Sequence, residues 1–407
     1  MDDSTRRDKP RWLTVLAVVA MALVIRAVVV AAMSGSLSDD PDAYRRLAEH
    51  LRTTGVYSTT DEPTAFRPPL YPLLLAALAI GGKVSPAAVG VLHVVLGAAT
   101  VVLTYYLAEQ WKLRRWSLVA CGLVAIDPIL LAQSTLVMTE TLATCLAAAG
   151  LLALTLLSRR PTPRTAAFCG VLLALAALCR PTFLPWLGLS GAAIGLRAAA
   201  DRSRFKLTAV YFAVAAVVLS PWMLRNYLVL GAAKVTTTHG GYTLLLGNNP
   251  SFYDYLRDAD DEGTWDAKEL ADAWAWRRFS TSPRDAMWDL PAAADAIPRQ
   301  ASVTRTEIED DRFAYALARR YIADQPGMFA YSCFVRVCRL WQLIPYKRTP
   351  SELTIVILLR LLIGAWYFFL LTLAVIGLAV RRREILRPPL VWGVLLAATF
   401  TAVHAFY

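Results

Sequence analysis

Three aspartates within four positions, Asp39, Asp40 and Asp42, are the side chains of this 407-residue sequence best suited to chemistry. They follow the first long apolar segment, and carboxylates this close repel one another near a low-dielectric region. Such a cluster can bind a cation, accept a proton from a substrate or pair with an arginine. It can equally cap the helix expected to begin near Asp42, because aspartate is a good N-cap residue. The aspartates alone leave these alternatives open.

The composition is that of a polytopic membrane protein. Hydrophobic residues make up 57% of the chain and the mean hydropathy is +0.45, values too apolar for a soluble globular domain. The net charge of +11 comes from short basic loops between apolar segments, as in cytoplasmic loops, so no nucleic-acid partner is indicated. The cysteines and histidines show no spacing typical of a metal site.

The apolar runs predict a multi-pass protein of the cell membrane. Residues 12–33 are long enough to cross, whereas 69–80 are too few and are expected to be re-entrant or interfacial. With a cytoplasmic N-terminus, every short basic loop then lies inside and the aspartates lie outside. The further predicted spans are 87–108, 116–132, 141–157, 165–178, 183–199, 207–223, 355–380 and 390–407.

This order divides the chain into three segments. Residues 1–226 form an N-terminal transmembrane module with an outer loop at 34–68, residues 227–350 form an extracytoplasmic domain, and residues 351–407 return to the membrane. The predicted fold is therefore an all-α membrane bundle with a smaller extracytoplasmic domain.

Strand and turn signals predict that this smaller domain is mixed α/β. Residues 234–239 and 242–246 have strand character and are separated by a glycine pair. Residues 304–343 are predicted to be helical, with a break at Pro326.

The predicted topology brings charged residues from distant segments to the outer membrane surface. Glu140 is a candidate substrate-binding residue, although it also begins a span, where the helix dipole favours a carboxylate. Arg180 and Arg225 end outward-running spans, where they either snorkel to the interface or grip a phosphate through paired hydrogen bonds. The other candidate ligands of such a site are Arg67, Tyr44, Asn226, Asn248 and Asn249.

The chain resembles the GT-C class of membrane glycosyltransferases, among them bacterial relatives of the dolichyl-phosphate-mannose protein mannosyltransferases and the aminoarabinose lipid A transferases. The resemblance covers nearly the whole chain. It implies a hexosyl- or pentosyltransferase that moves a sugar, with inversion, from a polyprenyl-phosphate donor to a protein, lipid or glycan at the extracytoplasmic face. It rests on the ordered stretches DPDAY at 40–44, RPPL at 67–70, MTETL at 138–142, CRPT at 179–182, PWMLRN at 221–226, GGY at 240–242 and GNNP at 247–250.

The resemblance also implies roles for particular residues. The base is an acidic residue of the first outer loop, and the family pattern puts Asp40 in that role, with Asp39 and Asp42 orienting or replacing it. Phe66 stands where the aminoarabinose transferases carry a glutamate, which disfavours that sugar. The family usually continues beyond the last span, so a truncated chain is expected. No cofactor is required, although the paired carboxylates would accept a divalent cation.

Two other classes share some of these features. A secondary transporter or flippase also has many spans and intramembrane charges, but this sequence lacks an internal repeat and has a long outer segment that transport does not explain. A non-catalytic relative of the transferases is the third interpretation.

Overall fold

The computed structural model describes residues 11–60, 62–196, 202–258, 265–268, 270–271, 306–345 and 353–407. They fall into two compact units. Unit 1 consists of Met1–Thr237 and Gly377–Phe400, and unit 2 of Thr238–Ile376 and Thr401–Tyr407. The basic N-terminal residues and most of the acidic middle of the predicted extracytoplasmic domain lie outside the described residues.

Unit 1 is helical, as the long apolar runs predict. A 3-10 turn at Ser34–Ser38 precedes the second helix. The helices are α1 (Arg11–Ala32), α2 (Tyr44–Thr54), α3 (Leu70–Ala77), α4 (Pro86–Gln110), α5 (Trp116–Ala125), α6 (Pro128–Gln133), α7 (Glu140–Arg159), α8 (Pro163–Cys179), α9 (Phe183–Leu196) and α10 (Arg202–Leu230).

Five described helices are long and apolar enough to cross a membrane, namely α1, α4, α7, α10 and a later helix, Thr354–Val380. A helix satisfies its backbone hydrogen bonds internally, which is what a bilayer requires of a spanning segment. Helix α3 has eight residues and so is about 12 Å long, far short of the roughly 30 Å hydrocarbon core. Its length agrees with the expectation that 69–80 do not cross.

The predicted span 116–132 is broken in the structure. Helix α5 ends at Ala125 and α6 begins at Pro128. Between them the Oδ1 atom of Asp127 accepts a hydrogen bond of 2.9 Å from the backbone N–H of Leu130. An aspartate N-cap followed by proline at the first helical position is a helix-start signal. The apolar residues on both sides of it led to the prediction of one continuous span.

The core of unit 1 lies where α7, α8, α9 and α10 pack together. The large side chains of Trp186 and Tyr211 are fully buried there. Gly170 permits the closest approach, since a Cβ at that position would lie 2.5 Å from the backbone oxygen of Tyr211. Helices α8 and α10 therefore pack backbone to backbone at this position.

The prediction of a mixed α/β domain is wrong for unit 2. Its described elements are helices, and the described residues contain no β-strand. Residues 242–246, predicted to be a strand, belong to α11. The helices from this point on are α11 (Gly240–Leu246), α12 (Pro250–Asp258), α13 (Glu307–Asp324), α14 (Pro326–Leu340), α15 (Thr354–Val380) and α16 (Leu390–Phe406).

The physical reason for the error is that the glycine pair serves helix packing rather than a turn. A Cβ on Gly241 would lie 2.2 Å from the backbone oxygen of Asp311, and the Gly241 N–H donates to Asp311 Oδ1 at 2.8 Å. Leu245 packs with Phe313 and Leu317 of α13. The predicted helix break at Pro326 is confirmed, since α13 ends at Asp324 and α14 starts at Pro326.

Candidate active site

The three aspartates of residues 39–42, the acidic loop of unit 1, have different surroundings. Asp39 is exposed. The Oδ2 atom of Asp40 accepts a 2.9 Å hydrogen bond from the backbone N–H of Arg46 in α2. Its Oδ1 atom is buried and has no hydrogen-bond partner among the described residues. Asp40 is thus held by one oxygen, while the other keeps its capacity to accept a proton.

Asp42 pairs with the arginine of the RPPL stretch. Arg67 Nη2 lies 2.6 Å from Asp42 Oδ1, and Arg67 Nε donates to the Asp42 backbone oxygen at 3.2 Å. Between Asp42 and Tyr44, Ala43 adopts a left-handed conformation with φ of 59°. An alanine rarely occupies that region, so the loop stores backbone strain here.

A second ion pair joins the start of α7 to the end of α8. Arg180 Nη1 forms an ion pair with Glu140 Oε1 and lies 3.4 Å from the hydroxyl oxygen of Thr139. Burial lowers the pKa of Arg180, but the charge and hydrogen bond of Glu140 outweigh burial and raise it above its ordinary value. The Oε2 atom of Glu140 is buried without a partner among the described residues.

Tyr44 lies between these two ion pairs. The Arg67 guanidinium carbon is 5.7 Å from the centre of the Tyr44 ring. Burial raises the pKa of Tyr44 to about 12, and the charges of both ion pairs act on its hydroxyl with opposing signs. The phenol therefore stays protonated and can donate a hydrogen bond to an oxygen bound in this site.

A ring contact links Tyr44 to a buried hydrogen-bonded chain that runs from Tyr71 into the bundle. The rings of Tyr44 and Tyr71 meet edge to face at 5.4 Å. The Tyr71 hydroxyl lies 2.9 Å from His93 Nε2, and His93 Nδ1 lies 3.0 Å from the Ser134 backbone oxygen. A carbonyl only accepts, so Nδ1 carries a proton, and in the neutral form of the ring Nε2 accepts from the Tyr71 hydroxyl.

Asp40 is close enough to Tyr71 to act on it electrostatically. Burial first, and then the charge of Asp40, raise the pKa of Tyr71. The sequence pattern did not indicate Tyr71 or His93 as site residues. The signal that could have found them is a histidine in an otherwise apolar span, since a buried imidazole needs a polar partner.

Arg225, near the end of α10, contacts backbone oxygens. Its Nη1 donates to the carbonyl of Thr64 at 2.7 Å, and its Nη2 donates to that of Tyr57 at 3.2 Å. Its guanidinium carbon lies 5.0 Å from the Trp222 ring centre. The Tyr57 hydroxyl donates in turn to the backbone oxygen of Arg67 at 3.2 Å. Arg225 thus holds the loop that carries Arg67.

The three predicted asparagines are buried and bind backbone. Asn226 Nδ2 donates to the Lys234 oxygen at 2.9 Å. In unit 2, Asn248 Nδ2 donates to Leu244 at 2.8 Å, and Asn249 Oδ1 accepts from the Phe252 N–H at 2.9 Å as α12 begins. These contacts give the asparagines local structural roles in their own units.

The described residues contain no group of three or more His, Cys, Asp or Glu side chains placed to hold a metal ion. Three of the four candidate carboxylates of unit 1 have their own neighbours instead, since Asp42 and Glu140 pair with arginines and Asp40 accepts from a backbone N–H. The site thus gathers Asp40, Asp42, Tyr44, Arg67, Glu140 and Arg180, and its positive charge comes from arginine.

The fold and this site define a class: a multi-pass helical membrane protein with a polar site at the helix ends, able to bind a negatively charged group and hydroxyls. Residues 66–225 match the family model described as dolichyl-phosphate-mannose-protein mannosyltransferase. Over these residues the match confirms the resemblance to GT-C membrane glycosyltransferases. The matched segment includes Arg67, Glu140, Arg180 and Arg225 and begins after the acidic loop.

Solved structures also match. One is the crystal structure of ArnT from Cupriavidus metallidurans bound to undecaprenyl phosphate, which is 13% identical, covers 96% of this chain and 76% of that chain, and gives a TM-score of 0.41. At that TM-score no residue role is transferred from ArnT. A comparison with curated proteins found no match.

Proposed function

We propose that this chain is a membrane glycosyltransferase that moves a sugar from a polyprenyl-phosphate donor onto an acceptor. The observation that supports this most is the grouping of two arginine–carboxylate pairs around Tyr44, largely within the segment that matches the mannosyltransferase model. The acceptor is a protein, lipid or glycan, and the sugar is a hexose or pentose.

In this proposal Arg67 and Arg180 bind the donor phosphate. Among the described residues, Arg180 donates hydrogen bonds only from Nη1, and Arg67 only from Nε and Nη2. Each guanidinium carries five N–H donors, so each retains donors for phosphate oxygens. Arginine is always charged and can grip phosphate bidentately, which supplies the charge stabilisation that a metal provides in other enzymes.

The proposed base is Asp40. Its buried Oδ1 takes the proton from the acceptor hydroxyl as that oxygen attacks the anomeric carbon. The bond between the anomeric carbon and the phosphate oxygen breaks on the opposite face, so the configuration inverts. The polyprenyl phosphate leaves with the bonding electron pair, and the arginines stabilise its added charge. Asp42 and Glu140 hold the two arginines in place.

Arg225 is proposed to be a positioning residue. Phosphate binding was the sequence-based expectation for Arg225, as for Arg67 and Arg180. Its hydrogen bonds to the carbonyls of Thr64 and Tyr57 support a role through the loop of Arg67 instead. Tyr71 and His93, which lie deeper in the bundle, are proposed to orient Tyr44 and Asp40.

The proposal places the reaction at the extracytoplasmic face, with the N-terminus in the cytoplasm. The distribution of positive charge supports this orientation. The end of the bundle opposite the site carries short arginine-rich segments at 158–164 and 381–387. Short basic loops face the cytoplasm in multi-pass proteins.

Purified full-length protein, incubated with membrane extract and a panel of radiolabelled polyprenyl-phosphate sugars, tests the proposal. At least one donor should give time-dependent transfer of label that survives a metal chelator and disappears in Asp40→Asn. Absence of transfer from every donor, or transfer that Asp40→Asn and Arg180→Ala both leave unchanged, would contradict it.

A further inference from the structure

A cavity of about 340 Å³ lies in unit 1, at the other end of the helices that carry the candidate active site. Glu140 begins α7 at the active-site end, and Ser158 at the far end of α7 lines the cavity. A helix of 20 residues is about 30 Å long, the thickness of a bilayer core. The cavity is therefore at the opposite membrane surface.

The inner wall of the cavity is apolar. Four of its lining side chains are at least nine-tenths buried: Leu157, Ile194, Leu207 and Trp392. Two exposed apolar residues lie two positions along the chain from lining residues, Leu196 (79% exposed) after Ile194 and Phe205 (74% exposed) before Leu207. Apolar side chains this open, at the end of spanning helices, face lipid tails.

The rim of the cavity is polar and positive. Arg387 lines it and is exposed, and the Ser158 hydroxyl beside it accepts a 2.8 Å hydrogen bond from the Trp392 indole N–H. No carboxylate among the described residues pairs with Arg387. The two bordering segments, 158–164 and 381–387, contain seven arginines and one glutamate. That glutamate, Glu384, forms an ion pair with Arg381 at 3.7 Å.

We propose that this cavity binds the headgroup and upper acyl chains of an anionic glycerophospholipid, with Arg387 on the phosphate. The apolar wall suits the methylene groups next to the glycerol, and the excess of arginine suits a net negative headgroup. A cavity of this size holds a headgroup but not a whole lipid, so the tails extend along the exposed apolar residues. The site is separate from the transfer chemistry at the other membrane surface.

Native mass spectrometry of the full-length protein in detergent tests this inference and needs no turnover. The probes are phosphatidylglycerol and phosphatidylcholine with the same chains, and inorganic phosphate as competitor. We expect one phosphatidylglycerol to bind about tenfold more tightly than phosphatidylcholine, because both carry the phosphate but Arg387 beside it repels the choline cation that phosphatidylglycerol lacks. Inorganic phosphate should not displace it, because phosphate lacks the chains.

Two arginine variants locate the effect. Arg387→Gln should remove the preference, and Arg387→Lys should keep part of it, whereas Arg382→Gln is the charge-matched control from the same segment and should keep all of it. The inference is overturned if wild type shows no preference for phosphatidylglycerol, if both glutamine variants lose it equally, or if millimolar phosphate displaces the lipid.

Discussion

The two ends of the unit 1 bundle both carry arginines, but the surroundings of these arginines are opposite. At the active-site end, Arg67 and Arg180 pair with Asp42 and Glu140, and Arg225 binds backbone carbonyls. At the other end, Arg159, Arg160 and their neighbours are exposed on short loops. Partly buried arginines need partners and fixed geometry, whereas exposed ones need neither. This difference in pairing supports placing the proposed chemistry at the paired end.

The largest effect should come from the proposed base. Replacing Asp40 with asparagine keeps the contact with the Arg46 N–H but removes the proton acceptor, so the transfer rate should fall by about 10²- to 10⁴-fold. The control is Asp39→Asn, because Asp39 is the adjacent residue and is exposed. This variant should transfer label at close to the wild-type rate. Equal losses in the two variants, measured by initial rates of label transfer, would remove the assignment of Asp40.

Stability should distinguish the two ends next. Arg180→Met leaves the partly buried Glu140 carboxylate unpaired and should cost about 2 kcal/mol, seen as a lower thermal unfolding midpoint. Adding Glu140→Gln should recover at least half of that loss. Arg381→Met breaks an ion pair whose side chains are 41% and 60% exposed and should cost less than about 0.5 kcal/mol. A double variant as unstable as Arg180→Met would argue against this pairing.

The role of Arg225 predicts a smaller, local effect. Arg225→Ala should free the loop between Tyr57 and Thr64, so that its amides exchange about tenfold faster, the value of one hydrogen bond to a charged group. Arg115→Ala, which among the described residues removes only a contact with the Trp116 ring, should leave exchange in that loop unchanged. If Arg225→Ala abolishes transfer while exchange stays at the wild-type rate, Arg225 touches the donor, as the sequence first indicated.

The smallest effect concerns the strain before α2. Ala43 has φ of 59°, so Ala43→Gly relieves backbone strain in the folded state. Glycine also raises the conformational entropy of the unfolded chain, which offsets part of that gain. The free energy of unfolding should therefore change by less than about 1 kcal/mol and should not fall. Ala48→Gly, the same substitution inside α2, should destabilise by about 1 kcal/mol. Thermal unfolding of both variants checks the contrast. A destabilisation of Ala43→Gly as large as that of Ala48→Gly would mean that the loop is unstrained.

The sequence predicted the helical bundle well because the apolar runs are long and a bilayer admits few alternatives. It also indicated that Asp42, Arg67, Glu140 and Arg180 lie at one end of the bundle, because their positions follow from helix order. It could not show that Asp42 pairs with Arg67 or that Arg225 binds carbonyls, because such partners depend on loop conformation. The pattern did not predict Tyr71 and His93 as site residues, because each lies within an apolar run.

The errors have a similar origin. The glycine pair at Gly240 and Gly241 indicates a turn by local propensity, but tertiary packing against α13 makes it the start of a helix. The apolar run around Asp127 indicates one span, but a local cap divides it. Both cases show packing or capping deciding between structures that the residue pattern left nearly equal.

The most direct test removes one arginine from each end of the bundle and measures transfer against donor concentration at fixed acceptor. Arg180→Ala should weaken donor use about a hundredfold, through a higher donor KM, a lower kcat or both, as expected for a lost contact to a developing charge. Arg382→Gln, from the exposed end, should give the wild-type donor dependence. If both variants match wild type, or if both weaken donor use equally, the paired arginines do not bind the donor phosphate.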